Sequence, residues 1–342
     1  MTITKERFAE ITANYSKLRI AVIGDFCLDR YLEIDPDLKE TSIETGLDVF
    51  NVVNVRAQPG GAGTVLNNLS ALGIGKIFPV GFCGNDGEGY ELFNALSLRR
   101  GVDLNLFLKT DLRKTFTYCK PLLIKKGSPP VELNRLDFKN WSPTPPEVES
   151  KIIDFISDVY EICDATVVLE QVDTANTGVI TDSVIKRIGE IYSKRNSIPT
   201  IADSRRGLRD YPPLIFKMNL NELSRMVVKP IGHNIDEIKN TALALSRKTG
   251  LTVFVTLGEK GIIGASSGNA EYVPAIPPKG EIDIVGAGDA VTANLISSIA
   301  AGATLKEALE IANAGAFVVI HKLGTTGTAS IEEISSVLFG NF

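Results

Sequence analysis

Histidine, cysteine and tryptophan are scarce in this 342-residue chain, which has two, four and one of them. His233 and His321 are the only imidazoles, which leaves little room for a histidine-based metal centre. Cys27, Cys83, Cys119 and Cys163 lie far apart with no Cys-x-x-Cys pair, so neither a zinc site nor a disulfide framework is indicated. No apolar run reaches the roughly 20 residues that span a bilayer. Residues 1–19 alternate charged and apolar side chains without a continuous apolar core or small-residue cleavage site, so no secretory signal is read and the cytoplasm is the default location. Charge of one sign is missing too: the formal net charge is −5, both signs are interspersed, and Lys125-Lys126 is too short to make a basic stripe, so nucleic acid is not an indicated partner. A Walker A motif is also absent, because Gly75-Lys76 is followed by Ile77. Any phosphoryl transfer must use another cradle.

What is present reads as an α/β protein. Residues 19–24, Arg-Ile-Ala-Val-Ile-Gly, form a short continuous apolar run ending in glycine, as expected of a strand buried on both faces of a parallel sheet. Residues 77–82, 166–170, 200–203 and 252–257 have the same character, and helical patterns over 147–163, 177–194 and 236–249 lie between the later ones. The alternation implies a doubly wound, mostly parallel sheet with helices on both faces, in a single domain over 1–342. Segments 32–56 and 104–138 break the rhythm with β-type stretches and no convincing helix. They are expected either to form a small accessory β-sheet, a lid excluding water from the carboxyl ends of the strands, or to be ordinary surface hairpins. The proline-rich residues 142–146 mark the return to the main domain.

The most informative stretch is Asp283-Ile284-Val285-Gly286-Ala287-Gly288-Asp289. Gly286, Ala287 and Gly288 let backbone N–H groups approach an anion, and the apolar run after them predicts a helix whose first-turn amides and dipole favour negative charge. Asp289 either caps that helix or takes a proton from an attacking hydroxyl. Four weaker signals accompany it. Gly60-Gly61-Ala62-Gly63 is a second small-residue approach to a helix, and Asp29 follows the first strand, where open α/β sheets bind ligands. Asn219 and Glu222 are spaced to help order a hydrated Mg²⁺, and Thr256-Leu257-Gly258-Glu259-Lys260-Gly261 ends a buried strand with a turn that suits a nucleotide edge. Rival motifs fail. Gly286-Ala287-Gly288 lacks the third glycine of a dinucleotide fingerprint and lies late in the chain, and Gly264-Ala265-Ser266-Ser267-Gly268 is followed by a polar turn where a nucleophile elbow needs a helix.

Taken in order, these motifs resemble the ribokinase-like, or PfkB-type, carbohydrate kinases over nearly the whole chain. The resemblance rests on Asp283 to Asp289, Gly60-Gly61, Asn219 to Glu222 and Thr256 to Gly261. It implies ATP-dependent phosphorylation of a hydroxyl of a sugar or sugar phosphate, with Asp289 as general base and the amides around Gly286, Ala287 and Gly288 as the anion hole. By the same analogy Asn219 and Glu222 support Mg²⁺ through water, and Asp29 with Gly60 and Gly61 hold the sugar. Thr256, Gly258, Gly261 and Asn313 border the nucleotide, while Asp283 and the backbone near Val285 match a monovalent-cation loop suited to K⁺. The two β excursions match the family's lid, which implies a homodimer through it. Gly24 to Tyr31, residues 59–62 and residues 135–138 look most like the heptose-7-phosphate kinase branch. A nucleotidyltransferase domain after the kinase, as in the bifunctional form, is not expected in a chain ending at Phe342. Two departures stand out: Ile284 replaces the usual threonine, and Thr64 stands where heptose kinases carry an asparagine that helps hold the sugar. Arg205 and Arg206, after the strand ending at Asp203, either meet a phosphate or are solvated surface. A nucleoside kinase and a catalytically silent sugar or nucleotide sensor are the competing expectations.

Overall fold

A computed structural model describes residues 2–194, 198–324 and 326–340. Its strands are β1 (Arg19–Gly24), β2 (Phe26–Thr41), β3 (Asp48–Gly61), β4 (Lys76–Gly84), β5 (Phe107–Thr110), β6 (Phe116–Leu123), β7 (Val131–Glu132), β8 (Leu136–Phe138), β9 (Ala165–Glu170), β10 (Thr200–Ser204), β11 (Ile215–Asn219), β12 (Val253–Thr256), β13 (Ile262–Ser266) and β14 (Asn269–Val273). The helices are α1 (Lys5–Thr12), α2 (Ala62–Ala71), α3 (Gly87–Ser97), α4 (Pro146–Ile162), α5 (Asp182–Lys194), α6 (Leu220–Val227), α7 (Ile235–Thr249), α8 (Ala287–Ala300), α9 (Leu305–Ile320) and α10 (Ile331–Phe339).

Among the described residues the large sheet has nine strands in the order β14-β13-β12-β11-β10-β9-β1-β4-β5. Pairing is parallel from β12 through to β5, and β13 and β14 add an antiparallel edge. The apolar runs read from the sequence are its interior strands. Along β1, Ile20 and Val22 enter the core packed under α2, α8 and α9, while Ala21 and Ile23 enter the core under α4, α5 and α7. A strand that feeds two cores has no polar face, which is why the run is continuous. Each large side chain buried this way contributes roughly 1.5–3 kcal/mol.

From β1 the chain proceeds outward to β4 and β5, then returns through α4 to β9 on the other side of β1. This reversal opens a crevice outside the carboxyl ends of β1 and β9, where such folds bind ligands. The backbone N–H of Asp25 donates to the Leu169 carbonyl at 3.1 Å across it.

The second sheet runs β3-β2-β6-β7, with β8 also on β6. It begins earlier than expected. β2 starts at Phe26, directly after β1, and its root residues Phe26–Asp29 are buried, so they read in sequence as more core strand. The expected 104–138 excursion also divides, because Phe107–Thr110 pairs in parallel with β4 at the edge of the large sheet. One helical boundary differs as well. The pattern from 177 becomes helix only at Asp182. As expected, a polar turn follows residues 264–266, which end β13, with Ser267 at φ 46° and Gly268 at φ 96° in the hairpin. That hairpin removes the nucleophile-elbow geometry altogether.

Candidate active site

α8 is buried along Ala290–Ser298, so neighbouring elements fix its axis and its N-terminus has a fixed aim. Gly286 caps it at φ 82°, ψ −4°, a left-handed conformation that glycine adopts without strain. A Cβ there would lie 2.5 Å from Cγ2 of Thr326. The turn is closed by two bonds. Oδ1 of Asp283 accepts the Val285 N–H at 3.0 Å, and the Ile284 carbonyl accepts the Ala287 N–H at 3.2 Å. This corrects the expected anion hole, because the Ala287 amide is committed inside the turn. Among the described residues the N–H groups of Gly286, Gly288 and Asp289 have no protein acceptor. They are the amides available to an anion.

Asp289, in the first turn of α8, lines a cavity of about 310 Å³ with Asp29, Gly61, Thr64, Gln171, Arg205 and others. Burial, with the charges of Asp203 and Asp29, pushes its carboxyl up to about 7, although Lys217 and Arg205 oppose the rise. Asp29 projects from the root of β2, pairs with Lys120 at 3.3 Å, and is held above the ordinary carboxylate range by burial. Gly60 makes room for it, since a Cβ at that position would lie 2.5 Å from Oδ2 of Asp29. Lys120, Arg135 and Arg205 line the same cavity, each next to an acid: Asp29, Asp137 at 2.7 Å and Asp173 at 3.6 Å. The adjacent arginines 205 and 206 have different fates. Arg205 stays exposed at the cavity, and Arg206 turns inward to the buried Glu170 at 2.7 Å.

Asn219 and Glu222 form a reciprocal capping box on α6. The Asn219 side chain accepts the Glu222 N–H at 3.0 Å, and Glu222 Oε2 accepts the Asn219 N–H at 2.7 Å. The spacing that suggested metal support therefore has a structural cause, with Oε1 of Glu222 left over. Asn219 is opposite Thr256 in the β11–β12 register, so the nucleotide-edge motif lies beside it. Gly258 and Gly261 flank the single turn that follows β12, and Asn313 on α9 donates to the Pro274 carbonyl at 2.9 Å. The expected residues thus gather into a group lining the cavity around Asp289 and a group along the β11–β12 edge, with the α8 turn next to both.

Sequence reasoning missed Lys217. It is 7 % exposed, its Nζ donates to Oδ2 of Asp203 at 2.6 Å, and that Nζ lies 3.2 Å from where a Cβ on Gly288 would be. Burial works against its charge, but Asp203, Asp289 and Glu222 outweigh burial and raise its pKa. The available signal was a lysine inside the otherwise apolar Ile215–Met218, which needs a buried partner. Among the described residues no group of three or more histidine, cysteine, aspartate or glutamate side chains is placed to hold a metal directly, the four cysteines are free and buried, and no helix is long and apolar enough to cross a membrane.

The doubly wound sheet with its small separate β-sheet, and the half-buried acid in the first turn of α8 at the crevice, define the ribokinase-like fold. Solved structures share the fold: ribokinase of Arabidopsis thaliana complexed with ribose and ATP (TM-score 0.67, 19% identity, 94% of this chain and 99% of that one), and phosphofructokinase-2 of Escherichia coli in complex with substrates and products (0.71, 18%, 94% and 98%). Residues 147–332 match the family described as pfkB family carbohydrate kinase, and the chain belongs to that family. The bifunctional protein HldE of Gluconacetobacter diazotrophicus is 29% identical over 327 residues, covering 95% of this chain and 64% of that protein. HldE of Trichlorobacter lovleyi is 28% identical over 333 residues, covering 94% and 63%. The chain thus spans less than two thirds of the length of these relatives.

Proposed function

We propose that this protein transfers the γ-phosphoryl group of ATP to a hydroxyl of a sugar phosphate, with Asp289 as the general base. The observation that carries the reading is the position of one carboxyl: Asp289 lines the acceptor cavity, belongs to the turn with the free amides, and is raised to about 7. A base of that pKa is half ionised near neutral pH and still accepts a proton readily. The acceptor hydroxyl gives its proton to Asp289 as its oxygen bonds to the γ-phosphorus, and the bond from that phosphorus to the β-bridging oxygen breaks to release ADP. The Gly286, Gly288 and Asp289 amides and the Lys217 ammonium neutralise charge on the transferring group.

Asp29, the Gly60-Gly61 turn and Thr64 hold the sugar. Lys120, Arg135 and Arg205 favour an acceptor that already carries an anion, in keeping with the motifs shared with heptose-7-phosphate kinases and with the likeness to HldE proteins. Thr256, Gly258, Gly261 and Asn313 border the nucleotide. The residues present fit a hydrated Mg²⁺ that arrives with the phosphates, because Asp203 and Glu222 put negative charge beside Lys217 without forming a direct metal cluster. Asn219 and Glu222 would hold it through water, and Mg²⁺ supplies charge neutralisation at the β- and γ-oxygens. The loop from Asp283 to Val285 would hold K⁺ behind the turn. The small sheet acts as a lid that excludes water. Its exposed apolar side chains, among them Phe50, Val52, Leu136 and Phe138, form a homodimer contact in a protein of the cytoplasm.

A panel of free sugars, sugar phosphates including a heptose 7-phosphate, and nucleosides, assayed with ATP and Mg²⁺ with and without K⁺, tests the reading. Fastest turnover of a nucleoside would move the assignment to nucleoside kinase. Asp289→Asn is expected to lower kcat by roughly 10² to 10⁴ with ATP binding retained, and full activity in that variant would overturn the role of Asp289.

A further inference from the structure

The carboxylate of Asp25 takes no part in the chemistry above, yet it is 2 % exposed and no cation pairs with it among the described residues. Its partners are backbone. Oδ2 accepts the N–H groups of Gln171 at 2.8 Å and Val172 at 3.2 Å, and Oδ1 accepts that of Val179 at 2.6 Å. Three amides from one loop, residues 171–179 after β9, converge on a single side chain at the end of β1. The backbone of Asp25 ties two more segments, its N–H donating to Leu169 O and its carbonyl accepting from Ala62 N–H at 3.0 Å.

The same loop is held from its other side by groups that collect its carbonyls. Arg113 donates to Thr177 O at 2.6 Å, and Thr144 donates its hydroxyl to Gly178 O at 2.6 Å and its N–H to Asn176 O at 2.7 Å. Gly178 is glycine for a local reason, since a Cβ there would lie 2.2 Å from Oδ1 of Asp25. The loop opens with Gln171 in the acceptor cavity, and Gln171 Cγ lies 3.4 Å from where a Cβ on Gly61 would be. Asp25 therefore joins the Gln171 wall of the cavity to the Gly60-Gly61 end of β3, where α2 begins.

We propose that Asp25 is a positioning residue for the acceptor site, acting through the amides of Gln171, Val172 and Val179 to hold the loop after β9 and the Gly60-Gly61 end of β3 at a fixed separation. The proposal rests on the cavity being the acceptor site, but the strap itself can be tested without turnover. Asp25→Asn keeps the shape and turns one acceptor oxygen into a donor facing N–H groups. Amide exchange read by mass spectrometry on a peptide covering 171–179 is expected to speed up on the order of 10-fold or more, with β9 residues 165–169 unchanged. In kinetics with ATP and whichever sugar or sugar phosphate of the panel turns over fastest, kcat/KM for the acceptor is expected to fall by about 10²-fold, as for a displaced positioning group, while KM for ATP stays within about 2-fold.

Gly178→Ala should reproduce that split, and combining it with Asp25→Asn should add little, because both displace the same loop. Unchanged exchange over 171–179 in a folded Asp25→Asn variant overturns the strap. Faster exchange with an unmoved acceptor KM, or equal rises in both KM values, overturns the positioning role and leaves only a structural one. If the unaltered protein turns over no sugar or sugar phosphate of the panel, the kinase reading fails and the exchange result still decides the strap.

Discussion

The Nζ of Lys217 donates to Oδ2 of Asp203 at 2.6 Å, and through this pair the neighbouring strands β10 and β11 meet the N-terminal turn of α8. Neither residue stands in the glycine motif. Together they fix a cation beside the free amide of Gly288 and set the charge that Asp289 experiences.

Replacing Lys217 with methionine is therefore expected to lower kcat by about 10² to 10³, the range for losing one preorganised transition-state donor. Because Lys217 opposes the rise of the Asp289 pKa, its loss should also move the acid limb of the pH–rate profile to higher pH. A profile of kcat/KM from pH 5 to 9 on both proteins checks the direction. A limb that stays put would mean that Lys217 does not sense Asp289.

The unaltered protein should itself lose activity below about pH 7, tenfold per unit, as Asp289 takes up its proton. Stability should move the other way. The folded-state pKa lies above the ordinary value of 3.8, so the contribution of Asp289 is fully present below about pH 4 and is lost as pH rises through about 7. Asp289→Asn removes the ionised carboxylate, so it should raise the melting temperature at pH 8 more than at pH 5, an activity-for-stability exchange readable by calorimetry.

The two glycines of the turn should respond differently to alanine. Gly286→Ala places a Cβ 2.5 Å from Thr326 in a left-handed backbone and is expected to cost about 1–3 kcal/mol from backbone strain alone, with activity falling alongside. Gly288 lies in ordinary helix, and a Cβ there meets only the end of the Lys217 side chain at 3.2 Å. Gly288→Ala should melt near the unaltered protein while losing kcat/KM for ATP. Thermal melts read alongside ATP kinetics separate the two.

Neighbouring arginines should also separate. Arg205→Ala leaves the fold untouched and raises KM for a phosphorylated acceptor by about tenfold or more, the loss of one charge-assisted hydrogen bond worth roughly 1.5–3 kcal/mol. Arg206→Ala removes the cation from Glu170, which is 1 % exposed and, among the described residues, keeps the Ser204 and Tyr211 hydroxyls as side-chain donors. It should destabilise the protein by about 1–3 kcal/mol, as for a buried group losing a partner. Denaturant melts and acceptor kinetics on both variants decide the matter.

The expected strands that became β1, β9 and β10 were legible because burial on both faces forces an unbroken apolar run, a local property of the chain. β11 was not, since Lys217 interrupts its run and only the pairing with Asp203 makes a buried lysine tolerable. The root of the small sheet was hidden for the opposite reason: Phe26–Asp29 is as buried as β1, so composition showed no change where the chain left one sheet for the other.

By itself the sequence determined the local devices: a glycine-rich turn before an apolar helix, an acid in that helix's first turn, and a capping spacing at Asn219 and Glu222. These follow from backbone freedom and side-chain reach over a few residues. Tertiary structure alone decided which charges face one another. It committed the Ala287 amide to the turn, sent Arg206 inward and left Arg205 at the cavity, set Lys217 between Asp203 and Asp289, and gathered three distant amides on Asp25. Burial and opposed charge act through space, and residues far apart in the chain share that space only once the sheet has formed.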